Sequence, residues 1–497
     1  MRRFWTLFLC FVCTASASAQ AADFSTARQI IRDGMARESA PAVVVAIARG
    51  DSILWIEAFG YANRETRVPA TIHTPFYLAS LSKTITATAA MVLREQGRLD
   101  LDRPANDYLG NARLTSPAWS ANGATLRRLA THTSGLTTFD VGCSTGCEPP
   151  SHDEIIRQYG VLMWPPAEHF DYSNLGYLVL GDAIARAARS DLGSLLRDDV
   201  FRPLGMVDAS LGIDRQRENE TAVQYSWTRG ALPRESRIVS GGSSVYASAY
   251  DVVRFGMMHA KAHVAGAKAI LSDAAIDTMQ NSTVPADGNQ QYGLGWWIET
   301  DRYGYRSVLA QGGTDASSTW LRIIPSERVV AVVLANKGVG FSSEVVDAMI
   351  AALLPRYADG LAAQKARSLA ARSTPAPNPA TPRLDSAYVG TWHGVVRAEQ
   401  GDLPLEIVVS DSGSLCARVG AEASERMGRA TFATGLFRLR VPGDLQSADT
   451  TGGRQLAFYL RPRGGVVNGT VTTNPNIASH LVGRFSYWVE LRKIIGP

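Results

Sequence analysis

The sequence predicts an α+β fold, in which an antiparallel sheet is flanked by helices, followed by a small all-β domain. Strand-like segments lie at both ends of residues 23–356, helical periodicity fills the middle of that range, and the composition changes sharply near residue 357. The chain has 497 residues. An ordinary domain has ~100–200, so two or three units are expected. Apolar residues make up 45% and charged residues 19%, which is enough for each unit to bury a core.

Residues 1–19 are typical of an export signal that is removed from the mature chain. Arg2 and Arg3 precede an apolar run from Phe4 to Val12, and Ala17-Ser18-Ala19 is a small-x-small cleavage site. That run is about half of the ~20 residues that a spanning helix needs, and no later run reaches that length. We therefore expect a mature chain without a transmembrane segment, in the bacterial periplasm or secreted. An N-terminal anchor is the alternative.

The charge argues against nucleic acid as a partner. The formal net charge is +4, and removal of Arg2 and Arg3 leaves the mature chain near neutral. The other arginines are scattered, whereas phosphate binding needs a concentrated basic face. A small-molecule or peptide substrate is the expected partner.

Residues 23–356 begin and end with strands. The strand-like segments are residues 41–48, 53–56, 292–299, 318–324 and 329–335. The clearest helical segments between them are residues 82–96 and 175–189. This order predicts that both ends of the domain share one antiparallel sheet, with helices packed against it.

Residues 357–383 are predicted to be a linker. Its first part is rich in Ala and Arg, and residues 373–382 contain four prolines, which exclude a regular helix there. Residues 384–497 then change to short alternating strands, most clearly at 405–409, 436–441, 455–460 and 485–491. They predict a small β-barrel or sandwich.

Three cysteines remain after removal of the signal: Cys143, Cys147 and Cys416. A local disulfide between the first two fits an exported protein. The alternatives are that Cys143 and Cys147 are free thiols, or that one disulfide includes Cys416. The cysteines lack the spacing of a zinc site, and we expect neither a metal nor another cofactor.

Ser80 and Lys83 begin an apolar helix. Positions i and i+3 share a face, so the Lys83 amine can reach the Ser80 hydroxyl. Burial disfavours a charged amine, which makes Lys83 a candidate proton acceptor. Backbone N–H groups at a helix N-terminus can stabilise developing negative charge. The pair fits an activated serine nucleophile, although one Ser-x-x-Lys also arises by chance as a capped helix with a solvated lysine.

Tyr172-Ser173-Asn174 lies at a loop-to-helix junction. The Tyr172 phenol could accept or donate a proton, and the Asn174 amide could orient Lys83 and a substrate carbonyl. Alone, the segment is more typical of a helix N-cap beside a core tyrosine. Two further strings, residues 129–136 and 201–206, have no assigned chemistry, and His132 is expected to be structural.

Together these motifs resemble the serine β-lactamase-related family, which includes class C β-lactamases, D,D-carboxypeptidases, D-aminopeptidases and related esterases. The resemblance covers residues 25–356 and rests on Ser80-x-x-Lys83, Tyr172-x-Asn174, the Thr-His-Thr-Ser-Gly-Leu string and the Pro-Leu-Gly-Met string. It implies a penicillin-binding-protein-like fold, with the site between a helical region and the sheet. It also implies that Ser80 is acylated while Lys83 and Tyr172 move protons. The C-terminal unit resembles small barrels appended to some members.

The sequence departs from the family at the third motif, Lys-Thr-Gly or His-x-Gly. Here the strand carries Gln311-Gly312-Gly313, and a shift by one residue would place Ala310 first. Gln311 can hydrogen-bond but supplies no fixed charge for a substrate carboxylate. The glycines permit close backbone approach, and the Thr314 N–H could complete an oxyanion hole with that of Ser80.

These features predict an acyl-enzyme hydrolase of amides or esters, a peptidase or esterase rather than an efficient β-lactamase. A weak or inactive module that binds cell-wall peptide is the alternative. Two other motifs are weaker. Residues 142–146 match Gly-x-Ser-x-Gly, but prolines follow where that elbow needs a helix. His259 and His263 lack the Glu of a His-Glu-x-x-His site, so we expect a surface helix there.

Overall fold

The computed structural model describes residues 22–137, 140–143, 150–233, 238–286, 288, 290–372, 386–398, 401–420, 425–433, 436–442, 445, 455–463, 466–473 and 481–494. The predicted export signal lies outside these residues. So do Cys147, Ser144 of the Gly-x-Ser-x-Gly motif, and the proline-rich half of the predicted linker.

The α-helices in this part of the chain are α1 (Ser25–Glu38), α2 (Ser82–Glu95), α3 (Leu126–Ala130), α4 (His152–Tyr159), α5 (Asn174–Ala188), α6 (Leu192–Leu196), α7 (Arg202–Leu204), α8 (Ala249–His259), α9 (Asp273–Asn281), α10 (Ser342–Ala351) and α11 (Pro355–Arg372). None of the described helices is long and apolar enough to cross a membrane.

The strands before α11 are β1 (Ala42–Arg49), β2 (Ser52–Asn63), β3 (Val68–Pro69), β4 (Phe76–Tyr77), β5 (Asp140–Cys143), β6 (Ser210–Leu211), β7 (Tyr225–Ser226), β8 (Gly230–Ala231), β9 (Val245–Ala247), β10 (Val284–Pro285), β11 (Gln291–Tyr292), β12 (Trp297–Arg302), β13 (Tyr305–Thr314), β14 (Ser317–Ile324) and β15 (Val329–Ala335). Those after it are β16 (Gly390–Ala398), β17 (Gly401–Val409), β18 (Ser414–Val419), β19 (Arg426–Ala433), β20 (Leu436–Pro442), β21 (Gln455–Arg463), β22 (Val466–Thr473) and β23 (Leu481–Lys493).

One nine-stranded antiparallel sheet joins both ends of the first domain, in the order β10-β11-β12-β13-β14-β15-β1-β2-β3. The early strand β1 pairs with the late strand β15, Val45 opposite Val333. This confirms the predicted α+β arrangement. The predicted strand at 292–299 is wrong in detail, because a turn at residues 293–296 divides it into β11 and β12.

The sheet is covered on both faces. Side chains alternate along a strand, so Val43 and Val45 pack with α1 and α10, while Val44 and Ala46 face the side of α2, α5 and α8. Apart from its last residue, β1 is therefore buried throughout. The continuous apolar run of this segment reflects burial on both faces.

The C-terminal strands form a closed antiparallel barrel. Each strand from β16 to β23 pairs with the next, and β16 also pairs with β23. Closure removes the free edges of a sheet, and inward residues such as Phe437, Leu439 and Val441 alternate with exposed ones along β20. The expectation of a small all-β domain is confirmed, and the barrel form is selected over the sandwich.

The barrel contacts the first domain along its β20–β23 side. The start of β23 pairs with β5, so one strand of the first domain extends the barrel sheet. Trp488 packs with Trp164 and lies edge-on to Trp119 at 5.3 Å between ring centroids. Glu168 forms ion pairs with Arg461, at 3.3 Å, and with Arg463.

The first half of the predicted linker is helical. Helix α11 extends through Arg372, since this Ala-, Arg- and Lys-containing segment has high helix propensity and no proline after Pro355. Its buried Tyr357 donates a hydrogen bond to Asp347 of α10 at 2.6 Å. The start of the segment therefore packs on the first domain.

Candidate active site

Ser80 lies in a tight turn that leads directly into α2. Residues 79–81 form a single 3₁₀ turn, and Ala79 has a left-handed φ of 48°, which is uncommon outside glycine. Strand β14 holds the preceding residues, because Thr319 Oγ1 donates to Leu78 O at 2.8 Å and Ser317 Oγ donates to Tyr77 O at 2.8 Å. The sheet thereby fixes the start of α2 and the position of Ser80.

The Lys83 side chain is fully buried beneath Ser80. Its Nζ donates to Ser80 Oγ at 3.0 Å, to Asn174 Oδ1 at 2.6 Å and to the Gly242 carbonyl at 2.9 Å. Three oxygen atoms thus surround the amine: a charged lysine can donate to all three, and a neutral lysine can donate to two and keep a lone pair for the Ser80 hydroxyl. A buried amine needs such partners, so the network explains why this lysine is tolerated in the core.

Tyr172 and Asn174 approach Lys83 from the start of α5. Asn174 is the first residue of the helix, and Ser173 caps it by accepting from Gly176 N at 2.9 Å. The Lys83 Nζ lies 4.8 Å from the centroid of the Tyr172 ring. The structure therefore brings together Ser80, Lys83, Tyr172 and Asn174, the residues that the first two motifs predicted.

A cluster of aromatic side chains surrounds Tyr172. Its ring is nearly parallel to Trp297 at 6.1 Å and lies 4.3 Å from His132, between centroids. His132 is buried, and its Nδ1 accepts from Ser173 N at 3.0 Å. Burial, and then the nearby charge of Lys83, hold the pKa of His132 well below 6.5. His132 is therefore a neutral residue that links the Tyr172 segment to α3.

Strand β13 runs beside the Ser80 turn with Gln311, Gly312, Gly313 and Thr314 at its end. A Cβ added to Gly312 would be 2.8 Å from Ser80 N. Gly313 and Thr314 are exposed and Gln311 is half-buried, so this end of the strand is accessible. Four of the five residues predicted to bind substrate thus lie at the end of β13 next to the Ser80 turn, and the fifth is Asn174.

Sequence reasoning missed the third acceptor of Lys83, the Gly242 carbonyl. It belongs to the run Ser240-Gly241-Gly242-Ser243, and a Cβ on Gly241 would meet Thr86 Oγ1 at 2.8 Å. Paired glycines are a signal for close backbone approach, which could have drawn attention to this run. No sequence pattern around Trp297 predicted that it packs beside Tyr172.

The expected surface position of the histidine pair is wrong for His259. This residue is buried in α8, and its Nε2 is 3.0 Å from Thr88 Oγ1 of α2. Burial lowers its pKa to about 3. It is therefore a neutral contact between two packed helices. Among the residues that the structure describes, no group of three or more His, Cys, Asp or Glu could hold a metal ion.

A cavity of about 920 Å³ lies beside Tyr172, between residues 164–172 and the barrel. Residues 284–286 form part of its wall on the first domain, and the outward side chains of β20 and β21 form the wall opposite. Its volume is within the range of small-molecule sites.

Curated relatives match about half of the chain. Penicillin-binding protein 4 of Amycolatopsis lactamdurans is 28% identical over 300 residues, which are 57% of this chain and 78% of that protein. Esterase EstB of Burkholderia gladioli is 30% identical over 282 residues, 48% of this chain and 70% of that protein. Some other relatives are matched over only 60–63% of their own length.

A solved structure matches nearly the whole fold. The octameric penicillin-binding protein homologue from Pyrococcus abyssi aligns with a TM-score of 0.60 at 19% identity, covering 95% of this chain and 100% of that one. At this identity the likeness concerns the fold alone. The family model described as Beta-lactamase matches residues 27–355, a range that contains Ser80, Lys83, Tyr172 and Asn174. This chain belongs to the beta-lactamase family, whose relatives include serine hydrolases.

Proposed function

We propose that this chain is an exported serine hydrolase that forms an acyl-enzyme on Ser80 with an amide or ester. It acts as a peptidase or esterase rather than as an efficient β-lactamase. The observation that carries the proposal is the 3.0 Å hydrogen bond between Lys83 Nζ and Ser80 Oγ, made by an amine that is fully buried. A hydroxyl held by a buried amine is the arrangement that activates serine as a nucleophile.

The reaction proceeds in two steps. Ser80 Oγ attacks the substrate carbonyl while its proton passes to the Lys83–Tyr172 pair, which returns it to the leaving amine or alcohol. Water then attacks the acyl-enzyme, gives up a proton to the same pair and releases the acid, and the proton returns to Ser80. Asn174 keeps Lys83 aligned through the 2.6 Å hydrogen bond between their side chains.

The backbone supplies the oxyanion hole in this proposal. Ser80 N lies at the start of a helix, where N–H groups are available for an anion. The close approach of Gly312 to Ser80 N supports a second donor from the end of β13, for which Thr314 N is the candidate. Loss of one such donor typically costs ~10²–10³ in rate.

The residues at the third motif indicate which class of substrate the site would accept. Gln311 takes the position that carries lysine or histidine in the family pattern, so this strand offers a hydrogen bond in place of a positive charge. Efficient turnover of β-lactams, which carry a carboxylate near the reacting carbonyl, is therefore not expected. Esters and uncharged amides fit this strand better, and the relative named as an esterase supports that choice.

Active-site labelling tests the proposal. Wild-type protein, Ser80→Ala and the control Ser282→Ala, which alters an exposed serine, are treated with a fluorophosphonate and a fluorescent penicillin, and intact masses are measured. We expect an adduct in wild type and Ser282→Ala and none in Ser80→Ala. Absence of an adduct with every probe would favour the alternative of a non-catalytic module that binds cell-wall peptide.

A hydrolysis panel identifies the substrate class. Nitrocefin, a D-Ala-D-Ala peptide, a D-amino-acid amide and p-nitrophenyl esters are compared by kcat/KM. The proposal expects the esters or the amide to exceed nitrocefin by at least tenfold. Export is tested separately by expressing the full chain and sequencing the N-terminus of the periplasmic product, which should begin at Gln20.

A further inference from the structure

The barrel wall of the cavity beside Tyr172 is rich in arginine. Outward side chains alternate with buried ones along β20, so Arg438 and Arg440 are exposed on the same face. Both line the cavity, together with Arg461 of the neighbouring strand β21. Two residues along a strand span ~7 Å, so the two guanidinium groups of β20 can reach one small anion.

The acidic groups of the cavity already have partners. Glu168 forms ion pairs with Arg461 and Arg463. Asp171 Oδ2 accepts a hydrogen bond from Trp164 Nε1 at 2.9 Å. By contrast, Arg438 and Arg440 form no hydrogen bond or ion pair with any other residue in the described ranges, which omit 434–435, 443–444 and 446–454.

The cavity also connects these arginines to the proposed chemistry. Tyr172, which adjoins Lys83, lies in its wall, and so do the apolar side chains of Val284, Pro285, Leu436 and Ala457. Of the proposed catalytic residues, Tyr172 alone lines this cavity, so an acyl chain attached to Ser80 would pass Tyr172 and then the apolar side chains to reach the arginines. The positive charge that Gln311 does not supply on β13 is present on the barrel wall of this cavity, which no residue of β13 lines.

We propose that Arg438 and Arg440 form a subsite for the carboxylate of a substrate whose acyl chain ends in that group, well away from the reacting carbonyl. Guanidinium groups bind carboxylates through paired, charge-assisted hydrogen bonds. Glu168 and Asp171 in the same cavity disfavour a doubly charged phosphate more than a singly charged carboxylate. This inference rests on the proposed hydrolase function and specifies its substrate as an ester or amide of a dicarboxylic acid.

Two esters that differ only at their far end test the subsite. One is the mono-p-nitrophenyl ester of suberic acid, and the other has its free carboxylate capped as a methyl ester. Wild type should prefer the charged ester by about tenfold in kcat/KM, the effect of one good charge-assisted contact. A wild-type preference near one would overturn the proposal.

Matched variants assign the preference to the two arginines. In Arg438→Gln/Arg440→Gln the ratio of the two kcat/KM values should fall about tenfold. Arg429→Gln is the control, because Arg429 is paired in register with Arg440 and exposed but does not line the cavity; its ratio should remain that of wild type. Charge reversal, Arg438→Glu/Arg440→Glu, should shift the preference toward an ester that ends in an ammonium group. An unchanged ratio in the double variants, or an equal fall in Arg429→Gln, contradicts the subsite.

A binding measurement separates this inference from the hydrolase proposal. Suberate is titrated calorimetrically into wild type, Ser80→Ala and the Arg438→Gln/Arg440→Gln variant. If neither ester is hydrolysed, the proposed function fails, yet binding to the first two proteins that weakens about tenfold in the third supports the subsite. If the capped ester is hydrolysed but suberate does not bind, the hydrolase proposal is supported and the proposed carboxylate subsite is wrong.

Discussion

A Cβ atom on Gly312 would lie 2.2 Å from the carbonyl oxygen of Leu78, directly before the turn that presents Ser80. The same atom would lie 2.8 Å from Ser80 N. No side chain can be accommodated at these distances unless the backbone moves, so glycine permits β13 to approach the nucleophile's turn.

Gly312→Ala should therefore lower the free energy of unfolding by about 1–3 kcal/mol, the range for overpacking a close contact, and should slow the labelling of Ser80. Gly313→Ala is the matched control, because the nearest atom to its added Cβ is Ser317 O at 3.7 Å. Denaturant unfolding of both variants checks the prediction, and equal destabilisation would show that the close approach is absent.

Lys83→Met should reduce kcat/KM for a good ester by about 10²–10⁴-fold, the usual contribution of a positioned proton carrier. Methionine fills a similar volume but neither holds Ser80 Oγ nor carries a proton. Lys261→Met provides the control, since Lys261 forms its ion pair with Asp277 away from the site. Steady-state ester hydrolysis measures both variants, and a Lys83→Met rate within threefold of wild type would reject the proposed role.

His132→Leu should destabilise the protein by about 1–3 kcal/mol, because it leaves the buried Ser173 N–H without the acceptor that His132 Nδ1 provides. His132 also has a left-handed φ of 57°, which Asn tolerates better than branched residues. His132→Asn should consequently lose much less stability. Thermal unfolding of the two variants compares them, and the reverse order would show that the backbone contact contributes little.

Asp251 should make the free energy of unfolding fall as the pH rises, whereas an ion-paired aspartate makes it rise. Burial, and secondarily the charge of Asp208, raise its pKa to about 7 from 3.8. The folded state thus holds a proton that the unfolded state releases. The stabilising contribution of this proton is complete below pH 3.8. It falls by up to ~1.4 kcal/mol per pH unit as the pH rises from 3.8 to about 7, and above that pH it is lost.

Asp251→Asn should remove that slope, because asparagine does not titrate and keeps an oxygen for the N–H groups of Asp208 and Ser248. Urea unfolding of wild type and variant at several pH values between 4 and 7 gives the difference. Asp273→Asn controls for the loss of an exposed carboxylate. Parallel pH profiles for wild type and Asp251→Asn would contradict the raised pKa.

Short-range sequence patterns were sufficient to predict several helices and strands. The alternation and helical spacing of the sequence predicted the β1–β2 hairpin, helices α2 and α5, and the C-terminal strands, because each pattern reports burial within a short segment. The one-turn spacing of Ser80 and Lys83 likewise predicted their contact. Helix α11 was missed since its Ala-rich composition lies next to a proline-rich stretch and suggested one continuous linker.

The sequence by itself determined the strands and helices from which the α+β class follows, the all-β C-terminal unit and the pairing of Ser80 with Lys83, because each of these patterns involves neighbours a few residues apart. The Tyr-x-Asn motif predicted Asn174 as a partner of Lys83, but only the tertiary structure decided that the Gly242 carbonyl, 159 residues away, is its third partner. It also decided that Arg438 and Arg440 border the cavity next to Tyr172. Contacts across such separations depend on how whole elements pack, and residue spacing carries no record of that packing.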